Sequence, residues 1–192
     1  MHVTGISSII LCYLIGSVVF GPAVAKIAGI GNLRDKGSGN IGATNVARIG
    51  GRKLGGIVLA LDFLKGFIPV LLAKIYLPYD AALMCGFAVV LGHIFPLFAK
   101  FKGGKGVATG LAVMLALSWP VGVYSAVLWL IFFWKTRISS IAAIMAFIMA
   151  PFFSFFVAGG KFTAFCFILS ALVIARHHEN IRRILKGEEG KL

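Results

Sequence analysis

Three polar segments interrupt an otherwise apolar chain, and their residue types are those that hold phosphate. The first is Gly37-Ser38-Gly39-Asn40-Ile41-Gly42-Ala43-Thr44-Asn45, followed by Arg48. Its glycines allow successive backbone N–H groups to converge on an anion without Cβ obstruction, and Ser38, Asn40, Thr44 and Asn45 add side-chain donors. Arg48 supplies a guanidinium that can fork onto phosphate oxygens. The plain alternative is a flexible interhelical loop, but flexibility alone does not ask for amides and hydroxyls beside an arginine. The second segment runs Gly92-His93-Ile94-Phe95-Pro96 and then Phe101-Lys102-Gly103-Gly104-Lys105-Gly106-Val107-Ala108-Thr109. Two lysines flank a glycine pair just before a helix, so N–H groups, the helix dipole and ammonium charge all favour an anion. The GxxxxGK[ST] spacing is absent, so no nucleotide site follows. His93, alone before a proline, reads as a structural histidine more readily than a catalyst. The third segment is His177-His178-Glu179-Asn180-Ile181-Arg182-Arg183, closing at Gly187-Glu188-Glu189. On a helix His177, Asn180 and Arg183 share one face; a solvated basic tail is the competing reading. Ser139 and Ser140 open a later span, where serines usually serve as caps, and Ser140 is a weaker candidate for the same site.

The elements that carry these segments follow from composition. Of 192 residues 59% are hydrophobic and 13% charged, with a mean hydropathy of +0.97, which excludes a soluble globular domain. At roughly 20 residues per crossing, the length is used up by spans and leaves no room for a separate soluble domain, so residues 1–192 form a single membrane-embedded domain. Apolar runs place spans at Val3–Ala25, Leu54–Ala73, Tyr79–Ala99, Gly106–Ser118, Pro120–Trp134, Ile138–Val157 and Phe162–Ala175. The expected fold is therefore all-α, polytopic, with seven transmembrane helices, the N-terminus outside and the C-terminus cytoplasmic. With that topology sixteen of the 19 basic residues lie inside, Lys74 and Lys161 outside, and Lys65 within a span. Fusing Gly106–Trp134 into one kinked helix would give ten against eight, so the positive-inside rule prefers seven. All three polar segments then face the cytoplasm.

The first span also resembles a signal peptide, with Ala23-Val24-Ala25 like a cleavage site, but Met1-His2-Val3-Thr4 carries no Lys or Arg. After Ala175, Ile181, Ile184 and Leu185 make a short basic amphipathic stretch suited to the anionic lipid surface. The net charge of +13 is dispersed among apolar runs, which excludes a nucleic-acid partner. Cys12, Cys85 and Cys166 each sit in an apolar run as fillers. Asp62 and Lys65, three apart within a span, suit mutual neutralisation and lean to a structural role. The remaining acids form no spaced cluster, so no metal is expected, and no cofactor.

Together the three segments resemble the bacterial integral-membrane acyl-phosphate:glycerol-3-phosphate acyltransferases, the PlsY family. The likeness covers GSGNIGATNVAR at Gly37 to Arg48, GHIFPLFAKFKGGKGVAT at Gly92 to Thr109 and HHENIRRILKGEE at His177 to Glu189, and extends in spaced form over the spans. It implies transfer of an acyl group from acyl phosphate to the 1-hydroxyl of glycerol 3-phosphate, giving lysophosphatidic acid and phosphate. It also implies seven helices in the bacterial inner membrane with the active site on the cytoplasmic side. The family's HxxNI spacing selects His177 over His178.

The residues agree with such chemistry. Two anionic substrates held close in a low dielectric repel strongly, and Lys, Arg and N–H donors offset that repulsion. Acyl phosphate is an activated anhydride, so no covalent acyl-enzyme is required, and the sequence has no GxSxG elbow and no HxxxxD pair. Positioning and oxyanion stabilisation would do most of the work. Arg48 and Lys105, with Ser38, Gly39, Asn40, Gly42, Ala43, Thr44, Asn45, Lys102, Gly103, Gly104 and Ser140, would hold substrate, and His177 and Asn180 would orient the hydroxyl. Two proton acceptors stay open, His177 and an oxygen of the donor's own phosphate; cations around His177 favour the phosphate. An anion transporter or phospholipid flippase, and a non-enzymatic membrane scaffold, are the competing functions. The polar residues crowd one face and no repeat is evident, against a midplane transport site.

Overall fold

The computed structural model describes residues 3–192, with side chains from Gly5 onward; Met1 and His2, read above as part of a start without basic charge, lie outside the described residues. All regular structure among the described residues is helical: α1 (Val3–Gly16), α2 (Phe20–Ile27), α3 (Ala43–Gly50), α4 (Arg52–Tyr76), α5 (Tyr79–Ile94), α6 (Val107–Leu117), α7 (Trp119–Thr136), α8 (Ser139–Val157), α9 (Gly160–Ala175) and α10 (His178–Leu185). Short 3₁₀ turns lie at Leu33–Asp35 and Leu97–Ala99. The chain divides into two compact units, Met1–Val113 and Met114–Leu192.

Four stretches are long and apolar enough to cross a bilayer: Gly5–Ile27, Arg52–Tyr76, Tyr79–Ala99 and Ser139–Val157. A fifth exists if Gly160–Ala175 and His178–Leu185, bent by 62°, count as one broken span. Large apolar side chains such as Ile68, Phe155 and Phe156 point outward from these helices, as a surface bathed in lipid permits. The chain is thus a multi-pass membrane protein. Helix length alone stops short of the seven crossings expected from sequence. The 11 residues of α6 reach about 16 Å, roughly half of a 30 Å hydrocarbon core.

The breaks have local causes. The expected span Val3–Ala25 is interrupted because Val18 and Val19 leave the helix; Ser17 turns its hydroxyl back to the Tyr13 carbonyl at 2.9 Å, and Val19 is extended. The α5 helix stops at Ile94 instead of running to Ala99, because Pro96 offers no N–H and disfavours a helical residue before it. Between α6 and α7, Ser118 is extended and Pro120 takes the first turn of α7. A Cβ on Gly122 would fall 2.2 Å from Leu115 Cα, so the chain doubles back there and Gly106–Trp134 is two helices.

Within the first unit, α1 and α5 lie backbone to backbone. A Cβ on Gly16 would meet the Val89 carbonyl oxygen at 2.1 Å, and one on Gly92 would meet the Tyr13 carbonyl oxygen at 2.2 Å. Such small-residue contacts replace a hydrophobic driving force that lipid removes. Beside them Ala25, Leu33, Ile41, Val46 and Val58 form a buried cluster that seats α2 and α3 on α4. In the second unit α8 buries its alanine face, Ala142, Ala143, Ala146 and Ala150, with Phe147. We expect Gly92→Ala to cost roughly 1–3 kcal/mol of stability through overpacking against backbone. Gly56→Ala, where a Cβ meets nothing within 4 Å, should leave the detergent-solubilised melting temperature unchanged or slightly higher.

Candidate active site

The first unit carries two of the polar segments as folded loops. Loop one, residues 28–42, wraps around the side chain of Asn45, which is only 1% exposed. Asn45 Oδ1 accepts the Ser38 N–H at 2.9 Å, and its Nδ2 donates to the carbonyls of Leu33, Lys36 and Asn40 at 3.1, 3.1 and 2.8 Å. Gly37, at φ +59°, has room for no side chain because Asn45 Oδ1 would lie 2.3 Å from its Cβ. Asn40 Oδ1 accepts the Gly42 N–H at 2.8 Å, and Gly42 then caps α3, whose first turn holds Ala43 and Thr44. Thr44 and Arg48, four apart, share a half-buried face of α3.

Loop two, residues 95–106, folds back onto the end of α5. The Phe101 N–H reaches the Pro96 carbonyl at 2.9 Å, the Gly103 N–H reaches Ile94 and the Gly104 N–H reaches His93, both at 3.1 Å. Gly106, at φ +85°, turns the chain into α6. Lys102 is exposed and Lys105 half-buried. Arg34 of loop one donates Nη2 to the Lys102 carbonyl at 2.5 Å, which lays the two loops side by side. The positive ends of α3 and α6 thus follow two adjacent basic loops.

One detail departs from the sequence reading. The N–H groups of Ser38, Gly39, Gly42, Gly103 and Gly104, expected to converge on an anion, are hydrogen-bonded within loop one or to the ends of α3 and α5. The Asn45 amide, expected to meet phosphate, is likewise engaged with the backbone. Glycine here permits tight folding, which shifts the expectation of anion binding to the charged and hydroxyl side chains and the helix N-termini.

The second unit holds the remaining candidates. His177, 2% exposed, caps α10, and its Nδ1 lies 2.7 Å from the Val173 carbonyl oxygen. A carbonyl only accepts, so Nδ1 carries a hydrogen and the Val173 carbonyl fixes the orientation of the ring. Glu189 gathers three groups: Ser140 Oγ and Asn180 Nδ2 donate to Oε1 at 2.8 and 2.6 Å, and Arg183 Nε donates to Oε2 at 2.6 Å. The carboxylate therefore ties α8, α10 and the tail together. Burial raises the Glu189 pKa, but hydrogen bonds from Arg183, Asn180 and Ser140 and the Arg183 charge outweigh it and hold the group below its ordinary 4.5.

The sequence pattern of the glycerol-3-phosphate acyltransferase family matches residues 6–187. The chain belongs to that family. A glycerol-3-phosphate acyltransferase of Jannaschia sp. (strain CCS1) is 48% identical over 183 residues, covering 95% of this chain and 90% of that one. The Aquifex aeolicus (strain VF5) enzyme of the same name is 49% identical over 186 residues, covering 94% and 95%. A crystal structure of PlsY (YgiH), an integral membrane glycerol 3-phosphate acyltransferase in its glycerol 3-phosphate form, superposes with a TM-score of 0.94 at 44% identity, over 98% of this chain and 96% of that one. The lysophosphatidic acid form gives 0.91 at 43% identity, over 98% and 95%.

In this acyltransferase, sequence reasoning overlooked two residues that organise the candidates. Arg34 joins the loops and Glu189 joins Ser140, Asn180 and Arg183. Glu189 had a signal, an acid six residues beyond an arginine in a strongly basic tail; Arg34 had none, because its partner is a main-chain carbonyl. Since the folded Glu189 pKa is depressed, its contribution to stability is complete above 4.5 and fades as pH falls toward the folded value. Melting of the solubilised protein between about pH 3 and 6 should therefore decline on the acid side. Glu189→Gln should start from a lower melting temperature and decline less.

Proposed function

We propose that this acyltransferase moves a fatty acyl group from acyl phosphate to the 1-hydroxyl of glycerol 3-phosphate, releasing lysophosphatidic acid and inorganic phosphate. The observation that carries this reading is the pairing of loops one and two through Arg34 and the Lys102 carbonyl. It sets Lys102, Lys105 and the α6 N-terminus beside the loop that leads into α3, whose last turn carries Arg48, an environment for phosphate groups rather than for a neutral substrate. Residues 1–192 act as one acyltransferase domain with seven crossings, the N-terminus outside, the C-terminus and the polar segments at the cytoplasmic face of the bacterial inner membrane. The bias of Lys and Arg supports that orientation.

Arg48 and Lys105 stabilise phosphate charge, helped by Ser38, Asn40, Thr44 and Lys102. Asn45, Gly39, Gly42, Ala43, Gly103 and Gly104 give the loops their shape. His177, its ring fixed by Val173, orients the attacking hydroxyl. Asn180 steadies the glycerol backbone, and Ser140 and Glu189 hold Asn180 in place. The hydroxyl oxygen forms a bond to the acyl carbonyl carbon and the tetrahedral oxyanion is met by cationic donors. On collapse the carbon–oxygen bond to phosphate breaks and phosphate leaves. The hydroxyl proton passes to an oxygen of the donor's phosphate, so no protein group need store it. Acyl chain and membrane lipid share the apolar helix surface.

Purified protein alone, given synthetic acyl phosphate, should release phosphate only when glycerol 3-phosphate is added; release without it, or none, defeats the reading and would leave transport or a scaffold. Arg48→Ala and Lys105→Ala should each lower kcat/KM by roughly 10²-fold or more. His177→Ala that abolishes turnover while glycerol 3-phosphate still binds would make His177 the base.

A further inference from the structure

The first unit buries charges that the reaction scheme leaves unused. Asp62 and Lys65 on α4 are 4% and 6% exposed, and His93 on α5 is 6% exposed. Lys65 Nζ lies 2.7 Å from Asp62 Oδ1 and donates to the Val18 carbonyl at 2.7 Å, in the break between α1 and α2. It also stands 5.5 Å from the centre of the Phe20 ring. His93 Nδ1 stands 3.6 Å from the same Asp62 oxygen, beyond hydrogen-bond length. Thr109 Oγ1 donates to the Asp62 main-chain oxygen at 3.0 Å, which fixes α6 to α4 two residues past its start. Opposite Asp62, the His93 ring is a shelf for loop two. A Cβ on Gly104 would lie 2.3 Å from His93 Nε2, and the His93 carbonyl accepts the Gly104 N–H.

We propose that His93, packed beside Asp62, is a positioning residue for loop two: it sets the height of Gly103-Gly104-Lys105 and of the α6 N-terminus against the phosphate they receive. The inference rests on the reading that loop two holds phosphate. A merely structural ion pair needs only Asp62 and Lys65, which already satisfy each other. His93 approaches the same Asp62 oxygen as Lys65 and with its other ring nitrogen abuts the one loop whose lysine is expected to meet substrate. The three groups thus divide their work, Lys65 repairing the broken helix and His93 supporting the loop.

The test uses the whole protein in lipid nanodiscs, with KM for each phosphorylated substrate, kcat and melting temperature measured together. His93→Ala should raise KM for at least one substrate by on the order of tenfold, with kcat changed less than about threefold. His93→Gln, which keeps a polar group toward Asp62, should recover a substantial part of that loss. Asp62→Asn alone would leave Lys65 as a lone buried charge; the double variant Asp62→Asn with Lys65→Met removes both charges and should reproduce the rise in KM. Unchanged KM with only a lower melting temperature in His93→Ala and the double variant overturns the inference, as does a fall in kcat at constant KM. Lys105→Ala separates the two levels. If it raises KM or lowers kcat/KM while His93 variants do not, positioning alone fails; if it changes neither, the phosphate reading of loop two fails and the inference with it.

Discussion

A backbone polar group released from a helix inside a bilayer has no water to turn to, and this constraint organises the first unit. Where α1 gives way to α2, the Val18 carbonyl is taken by Lys65. Where α5 stops at Pro96, the carbonyls of His93 and Ile94 are taken by Gly104 and Gly103. Where the chain runs irregularly from Leu33 to Asn40, one amide, that of Asn45, accepts one N–H and meets three carbonyls. Irregular backbone survives near lipid only under such supervision, so each break doubles as a fixed point from which functional side chains can be aimed.

The second constraint is steric. Gly16 and Gly92 let α1 and α5 touch through their main chains, and Gly55 brings α4 against Ala47 of α3 in the same way. Close backbone contact gives a short helix such as α3, eight residues long, a stable seat it could not have by propensity alone. Thr44 and Arg48 inherit their placement from that seat. Rigid placement of reacting groups is a general source of rate in group transfer.

In the second unit the organising group is a carboxylate. Glu189 accepts from Ser140, Asn180 and Arg183 with its side chain only 4% exposed. An acid among so many cations is costly only if unpaired; here every bond favours its charged form. Sequence reading treated Ser140 and Asn180 as independent candidates. The fold makes them neighbours through a residue from the tail, and the same tail donates the Leu192 N–H to the Arg137 carbonyl at 2.9 Å.

Sequence by itself determined the class of protein, the polar segments and the family, because hydropathy is additive along a chain and the three motifs are contiguous strings. It also located most span ends to within a few residues, as at Pro120, although it ran the third span past Pro96 to Ala99. It could not assign partners. That Asn45 folds a loop, that its neighbours' N–H groups are used internally, and that Arg34, His93 and Glu189 hold other residues in place depend on contacts between positions as far apart as Arg34 and Lys102. A donor near glycine looks the same in a string whether it meets phosphate or a carbonyl; only the path of the backbone, fixed by packing many residues away, decides which acceptor comes within 3 Å.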